Sequence, residues 1–183
     1  YWSGTGNTEA MANAVVEGAK NAGAEVELLP VSAANADILS SDALLFGCPA
    51  MGAEELEEGE FEPFFSSVEG SLSGKKVGLF GSYDWGDGEW MRTWQQRVET
   101  AGGVMIEDGL ICNNAPDDDA LAACRALGEK AATWGNMPQI PLAIEGMQCG
   151  ICETHVNDWV RRGEGVKKVQ VSTPKARHQA IRG

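Results

Sequence analysis

Tyr1-Trp2-Ser3-Gly4-Thr5-Gly6-Asn7-Thr8 opens the chain and runs straight into an amphipathic stretch, residues 9–22. Gly4 and Gly6 let the backbone turn with converging N–H groups, and Ser3, Thr5, Asn7 and Thr8 add hydroxyl and amide donors. A helix starting directly behind such a loop contributes its first unpaired N–H groups and the positive end of its dipole. The segment therefore predicts an anion site on a loop entering a helix. Its first cation is Lys20, so it lacks the Lys-Ser/Thr pair of a nucleotide-hydrolysing phosphate loop. Glu9 stands where a dinucleotide fingerprint needs its third glycine, which leaves a monophosphate held by neutral donors. An ordinary Ser/Thr helix cap is the alternative that this stretch alone leaves open.

Outward from the loop, apolar patterning alternates between strand and helix. Strands are predicted at 25–31, 43–48 and 76–81, with an interrupted last one at 104–106 and 109–112. Helices are predicted at 9–22, 61–68, 88–101 and 117–132. Repeated βα units imply a parallel sheet covered on both faces, with a ligand beyond the carboxyl ends of its strands. Two further segments follow strand ends: Gly47-Cys48-Pro49-Ala50-Met51-Gly52-Ala53-Glu54, and Phe80-Gly81-Ser82-Tyr83-Asp84-Trp85-Gly86-Asp87-Gly88-Glu89-Trp90. Trp85 lies in a stretch too glycine-rich to be packed core, which suits stacking on a planar ring; a Trp folded back over the sheet edge is the alternative. Trp90 and Trp94, four apart on a predicted helix, read as packing.

These three segments, in this order, resemble the flavodoxins, and specifically the short, acidic kind of anaerobic bacteria, over residues 1–132. The resemblance implies an α/β fold, a flavodoxin-like doubly wound parallel five-stranded sheet of order 2-1-3-4-5, and FMN as cofactor. It implies that Ser3, Gly4, Thr5, Gly6, Asn7 and Thr8 hold the phosphate. Ala50, Met51, Gly52, Ala53 and Glu54, with Ser82, Tyr83, Asp84, Trp85 and Gly86, would then meet the rest of the flavin. Trp85 would stack on one face, and Met51 and Gly52 would lie against the other face and the N5 edge. The peptide after Met51 would reorient on reduction to offer N5 a carbonyl, a movement that a glycine at 52 makes easy. Glu54 would accept from the pyrimidine N3–H; its alternative is one more solvated charge in an acidic run.

Two residues depart from the family pattern. Ala53 stands where Asp or Ser is common, and Asp84 where a Gly precedes the stacking Trp. Asp84 is thus a candidate for positive φ, and both bear on redox potential more than on binding. Carboxylates such as Glu54, Asp84 and Asp87 oppose an anionic, fully reduced flavin. One charge about 10 Å away costs roughly 1.7 kcal/mol at an effective dielectric of 20, or about 70 mV for one electron. A low-potential one-electron carrier between redox proteins follows. No His and no nucleophile–base pair occurs in residues 1–132, so no catalytic residue is assigned. A flavin or quinone reductase, an enzyme on the same fold, is the alternative; no nicotinamide motif shows for it.

Charge divides the chain. Residues 1–132 carry 7 Lys/Arg against 23 Asp/Glu, net −16, whereas residues 140–183 carry 7 against 4, net +3. Residues 133–139, with Gly135 and Pro138, read as a linker. The acidic first domain excludes nucleic acid and anionic membrane as partners and favours basic docking surfaces on redox proteins. It reads as monomeric. Neither a membrane span nor a signal peptide is visible. Cys48, Cys112 and Cys124 read as buried small hydrophobes, and an odd total of five cysteines fits a reducing cytoplasm.

In the tail, strands at 140–145, 166–172 and 176–181 flank a helix at 149–162. Gly146-Met147-Gln148-Cys149-Gly150-Ile151-Cys152 resembles the GMxCxxC loop of heavy-metal-associated domains, small ferredoxin-like α+β modules. Two thiolates at a loop entering a helix suit Cu(I) or another soft metal ion, so Cys149 and Cys152 are the candidate ligands. His155 is a weaker third candidate, Met147 packs inward in that family, and thioredoxin-like redox chemistry is the rival reading. A metal-handling protein whose flavin half reduces the metal or the thiol pair is a further alternative. Both ends read as cut: the module lacks a helix and a strand, and further sequence is expected upstream of Tyr1.

Overall fold

A computed structural model of the chain describes residues 1–134. In chain order the elements are α1 (Asn7–Asn21), β1 (Ala43–Gly47), α2 (Phe61–Glu69), β2 (Lys76–Tyr83), α3 (Glu89–Thr100), β3 (Val104–Met105), β4 (Leu110–Asn113) and α4 (Asp118–Thr133). β2 is central. It pairs in parallel with β1 from Ala43↔Lys76 to Gly47↔Phe80, and on its other edge with β3 and then β4. Residues 106–109 separate β3 from β4, so the two form one interrupted strand, as the sequence predicts.

Period-two alternation sorts the sheet residues to two cores. Leu44, Phe46, Val77 and Leu79 meet α2 and α3 through Phe61, Phe65, Val68, Trp90, Trp94 and Val98. Phe80 faces the other way, toward Met11, Ala14, Val15, Cys124 and Leu127 of α1 and α4. The helices earn these places by apolar spacing of three and four, as in Phe61/Phe65/Val68 and Trp90/Trp94/Val98. Trp94 packs edge-on against Phe61 and Phe65, with centroids at 5.3 and 5.7 Å. Arg97 of α3 lies 5.0 Å above the Phe65 ring and pairs with Glu62 (2.8 Å) and Glu69 (3.0 Å) of α2. α1 and α4 cross closely because a Cβ at Gly18 would lie 1.9 Å from the Arg125 carbonyl oxygen, and one at Gly128 would lie 1.9 Å from that of Val15.

Residues 25–31 are not a strand, contrary to the sequence expectation. Strand structure is a property of a pair, and among the described residues the backbone of 25–31 bonds across only to Tyr1, while Trp2 bonds to β1. Trp2 N–H donates to Gly47 O (2.9 Å), Val31 N–H donates to Tyr1 O (2.8 Å), and the Tyr1 amino group donates to Leu29 O (2.8 Å). Cys48, Cys112 and Cys124 are buried and unpaired, as read. Burial pushes the Cys48 thiol up to about 12 and that of Cys124 to about 11.

Candidate functional site

The three segments converge where β1, β2 and β4 end. Gly6, at φ 90°, is the N-cap of α1, a left-handed position that its lack of a Cβ makes inexpensive. Ser3 Oγ accepts from the N–H groups of Gly6 and Glu9, both at 3.2 Å, which closes the loop from inside. The N–H groups of Thr5, Asn7 and Thr8 find no acceptor among the described residues. Gly4, Thr5 and Gly6 are exposed, and Asn7 is half-buried. Thr8 is buried, and its Oγ1 lies 3.3 Å from Ser82 Oγ and accepts from Ser82 N–H at 3.4 Å. The first loop is thereby stapled to the end of β2.

Past β1 the chain keeps its register against β2: Cys48 N–H donates to Phe80 O (3.1 Å) and Ala50 N–H to Ser82 O (2.9 Å). Met51 and Glu55 then exchange N–H···O bonds in both directions at 2.8 Å and close a tight loop over Gly52, Ala53 and Glu54. Gly52 has φ 52° and Glu54 φ 58°. The left-handed turn at Glu54 aims its carboxylate across to the third segment. Oε1 accepts from the N–H groups of Asp87 (2.7 Å) and Gly88 (3.3 Å), and Oε2 from that of Glu89 (3.1 Å). Glu54 is therefore the anionic cap of α3, supplied from another loop. Neither sequence reading of Glu54, ring ligand or solvated charge, anticipates this role. A carboxylate offers about four acceptor positions, so one remains on Oε2 for a further donor.

Glu57 does the same for α2, accepting from Gly59, Glu60 and Phe61 N–H at 2.7 to 2.9 Å. Partial burial would raise its carboxyl, but these three donors outweigh that and hold it below its ordinary value.

In the third segment Tyr83 is half-buried with its ring 5.6 Å from that of Trp90, whose Nε1–H reaches Cys48 O at 3.3 Å. Trp90 and Trp94 are core, as read from their spacing. Asp84 does not adopt positive φ; that conformation falls on Gly86 and Gly88, both at 92°, which absorb the turn in its place. A Cβ at Gly86 would lie 1.6 Å from Glu54 Oε1, so a side chain there would displace the carboxylate. Trp85 is 62% exposed and Met51 39%, two of four large hydrophobics exposed among the described residues.

Three contributors escape the sequence reading. The Trp2 indole lies against Gly4, where a Cβ would come within 2.9 Å, and its Nε1–H donates to Glu60 Oε2 (3.1 Å). Arg92 pairs with Asp87 at 2.7 Å, beside the Trp85 loop. Asn113 donates from Nδ2 to the carbonyls of Tyr83 (3.3 Å) and Asp84 (3.1 Å). A usable signal exists for Asn113, because it directly follows the strand predicted at 109–112, on the same sheet edge as the other loops. Among the described residues no cluster of three His, Cys, Asp or Glu could hold a metal ion. Cys149, Cys152, His155, residues 135–139 of the linker and the predicted module at 140–183 lie outside the described residues.

A family model described as Flavodoxin matches residues 1–128. A flavodoxin from Megasphaera elsdenii is 53% identical over 133 residues, covering 72% of this chain and 95% of that protein. One from Clostridium beijerinckii is 50% identical over 133 residues, covering 72% and 96%. The solution structure of two-electron reduced Megasphaera elsdenii flavodoxin superposes with a TM-score of 0.67 over 73% of this chain and 96% of that one. With three strand-end loops gathered on one sheet edge and a sequence match over most of its length, the chain belongs to the flavodoxin family of FMN-binding electron carriers.

Proposed function

We propose that residues 1–132 bind FMN with its phosphate in the Ser3–Thr8 loop and its ring between Trp85 and the Met51–Gly52 turn, and pass single electrons at low potential between redox proteins. The observation that carries this reading is the exposure of Trp85 and Met51 in two loops joined by Glu54. Large apolar side chains gain about 25 cal/mol per Å² when covered, and a flat ring would cover both. At the other end, the free N–H groups of Thr5, Asn7 and Thr8 fit a phosphate without any cation.

Bound FMN supplies the redox chemistry; the chain binds it, orients it and biases its charge. Gly52, already left-handed, would let its peptide turn a carbonyl toward the N5 edge, where it would accept a hydrogen bond from N5–H. Glu54 keeps one acceptor position for the N3–H while capping α3. Asp84, Asp87 and the neighbouring carboxylates would oppose the negative charge that a second electron places on the ring and so keep the potential low.

Five strand positions in the order 2-1-3-4-5 are supported by the bonds that place Tyr1 and Trp2 between β1 and residues 29–31. Basic docking surfaces on partner proteins suit the −16 charge of residues 1–132. No helix among the described residues is long and apolar enough to cross a membrane. Our reading places the protein in the cytoplasm, with a monomeric flavin domain, and makes 140–183 a soft-metal module joined by residues 133–139. The Cys149-Gly150-Ile151-Cys152 spacing supports Cu(I) binding there.

The test is the visible spectrum of the purified protein, followed by anaerobic reductive titration. Tightly bound FMN reduced in two resolved one-electron steps is expected; absence of FMN would sink the reading, and a single two-electron step would favour a reductase. For the tail, a Cys149→Ser/Cys152→Ser variant should lose Cu(I), and retention would remove the metal assignment.

A further inference from the structure

The Trp85 loop leaves β2 at Tyr83 and enters α3 at Glu89, and a side chain from a different element holds each foot. At the outgoing foot Asn113, the last residue of β4, bridges the Tyr83 and Asp84 carbonyls through Nδ2, at 3.3 and 3.1 Å. Its own Oδ1 accepts from Asn114 Nδ2 at 3.0 Å, and Asn114 N–H donates to Tyr83 O at 2.7 Å. At the returning foot the Glu54 carboxylate takes the N–H groups of residues 87, 88 and 89. Between the feet, Trp85 and Gly86 make no hydrogen bond among the described residues, and Trp85 stands out into solvent. An exposed Asn can satisfy its amide with water, so burial does not force the Asn113 contacts. Glu54 adopts φ 58°, uncommon for a residue with a side chain, in the conformation that delivers its carboxylate to the loop.

We propose that Asn113 and Glu54 are positioning residues that pin the two feet of the Trp85 loop and so present the indole already ordered to its ligand. A loop ordered in advance pays no ordering entropy on binding, and the gain appears as affinity. The existence of the pins is independent of the ligand; their consequence rests on the reading of Trp85 as a contact to the FMN ring. Asn113 carries the decisive test, because Glu54 is itself placed against the flavin and Asn113 is not.

The full chain is prepared without FMN as wild type, Asn113→Ala and Asn113→Asp, and backbone ¹⁵N order parameters are measured across residues 84–88. Both substitutions remove the Nδ2 donor, and Asn113→Asp keeps an oxygen for Asn114, so agreement between them isolates the donor. In the wild type the order parameters should sit near the rigid value of about 0.85, and in both variants fall below about 0.6, with core amides of α1 and α4 unchanged. FMN titrated into the same samples should bind roughly tenfold more weakly to the variants, mainly through faster dissociation. Unchanged order parameters in both variants overturn the pins. A loosened loop with unchanged FMN affinity overturns their consequence. Failure of the wild-type chain to bind FMN faults the flavin reading, and the order parameters then judge the pins by themselves.

Discussion

Tryptophans 85 and 94 share one short segment and do two different things, which single substitutions should separate. Trp94 is 1% exposed between two phenylalanines. Trp94→Ala should cost about 3–5 kcal/mol of stability by urea unfolding. Trp85 is 62% exposed, so Trp85→Ala should leave the urea midpoint nearly unchanged while weakening FMN by roughly 30-fold, the loss of about 2 kcal/mol of covered aromatic surface. Equal affinity in the two proteins would remove Trp85 from the site. Cys48 gives a second residue-scale prediction. Burial raises its thiol to about 12 from an ordinary 9.0, so the folded chain keeps it protonated where the unfolded chain ionises it. Its contribution to stability is complete below pH 9 and is lost as pH rises toward 12. Alkylation of native protein at pH 8, read by peptide mass, should spare Cys48 and Cys124 and modify both once urea is added. The exposure of Trp85 and the burial of Trp90 and Trp94 were legible in the sequence, because glycine content and spacing of four carry them. Glu54 was not, since its partners lie 33 to 35 residues away and nothing local marks a carboxylate as another helix's cap.

Among the elements, what sequence periodicity revealed and what it hid follow one physical distinction. Helices near 61–68 and 88–101 are written in apolar spacing along a single segment, and α2 and α3 form there. Residues 25–31 carry strand-like composition yet form no strand among the described residues, since a ladder is a property of two segments and cannot be read from one. The break between β3 and β4 was legible, since Glu107 and Asp108 interrupt the apolar run. Contacts between helices were invisible, and two of them can be tested. Gly128→Ala drives a methyl into the Val15 carbonyl and should separate α4 from α1 at a cost of about 1–3 kcal/mol by urea unfolding. Between α2 and α3, the hydrogen bonds from Arg97 hold the Glu62 carboxyl below its ordinary 4.5. A depressed carboxyl stabilises the fold above the unfolded value and loses that contribution as pH falls through the folded one. Arg97→Gln should therefore destabilise at pH 7 by about 1 kcal/mol, a modest figure because both side chains are partly solvated. The deficit should shrink below pH 4.5, and one that is constant with pH would assign Arg97's effect to packing over Phe65.

At the scale of the whole molecule the dominant quantity is charge, −16 over residues 1–132, which was fully legible in the sequence. Its consequence for ligand binding depends on where the cations are, and residues 1–19 contain none. On the proposed reading, a phosphate entering the Ser3–Thr8 loop would meet backbone N–H groups and hydroxyls at close range and a repulsive field at long range. These two influences respond differently to salt. The short contacts lie inside the screening length at any ordinary ionic strength, whereas the field reaches about 30 Å at 0.01 M and about 8 Å at 0.15 M. Raising salt should therefore remove repulsion and leave attraction, so the FMN association rate should rise several-fold between about 0.01 and 0.3 M salt. A phosphate site built on Lys or Arg behaves oppositely, because salt screens the attraction that guides the ligand in. Electron transfer to a basic partner should also slow with salt, since there the same field attracts. Stopped-flow quenching of flavin fluorescence by the FMN-free chain, repeated across ionic strengths, measures the first effect directly. An association rate that falls with salt would place a cation at the phosphate and refute a loop of neutral donors.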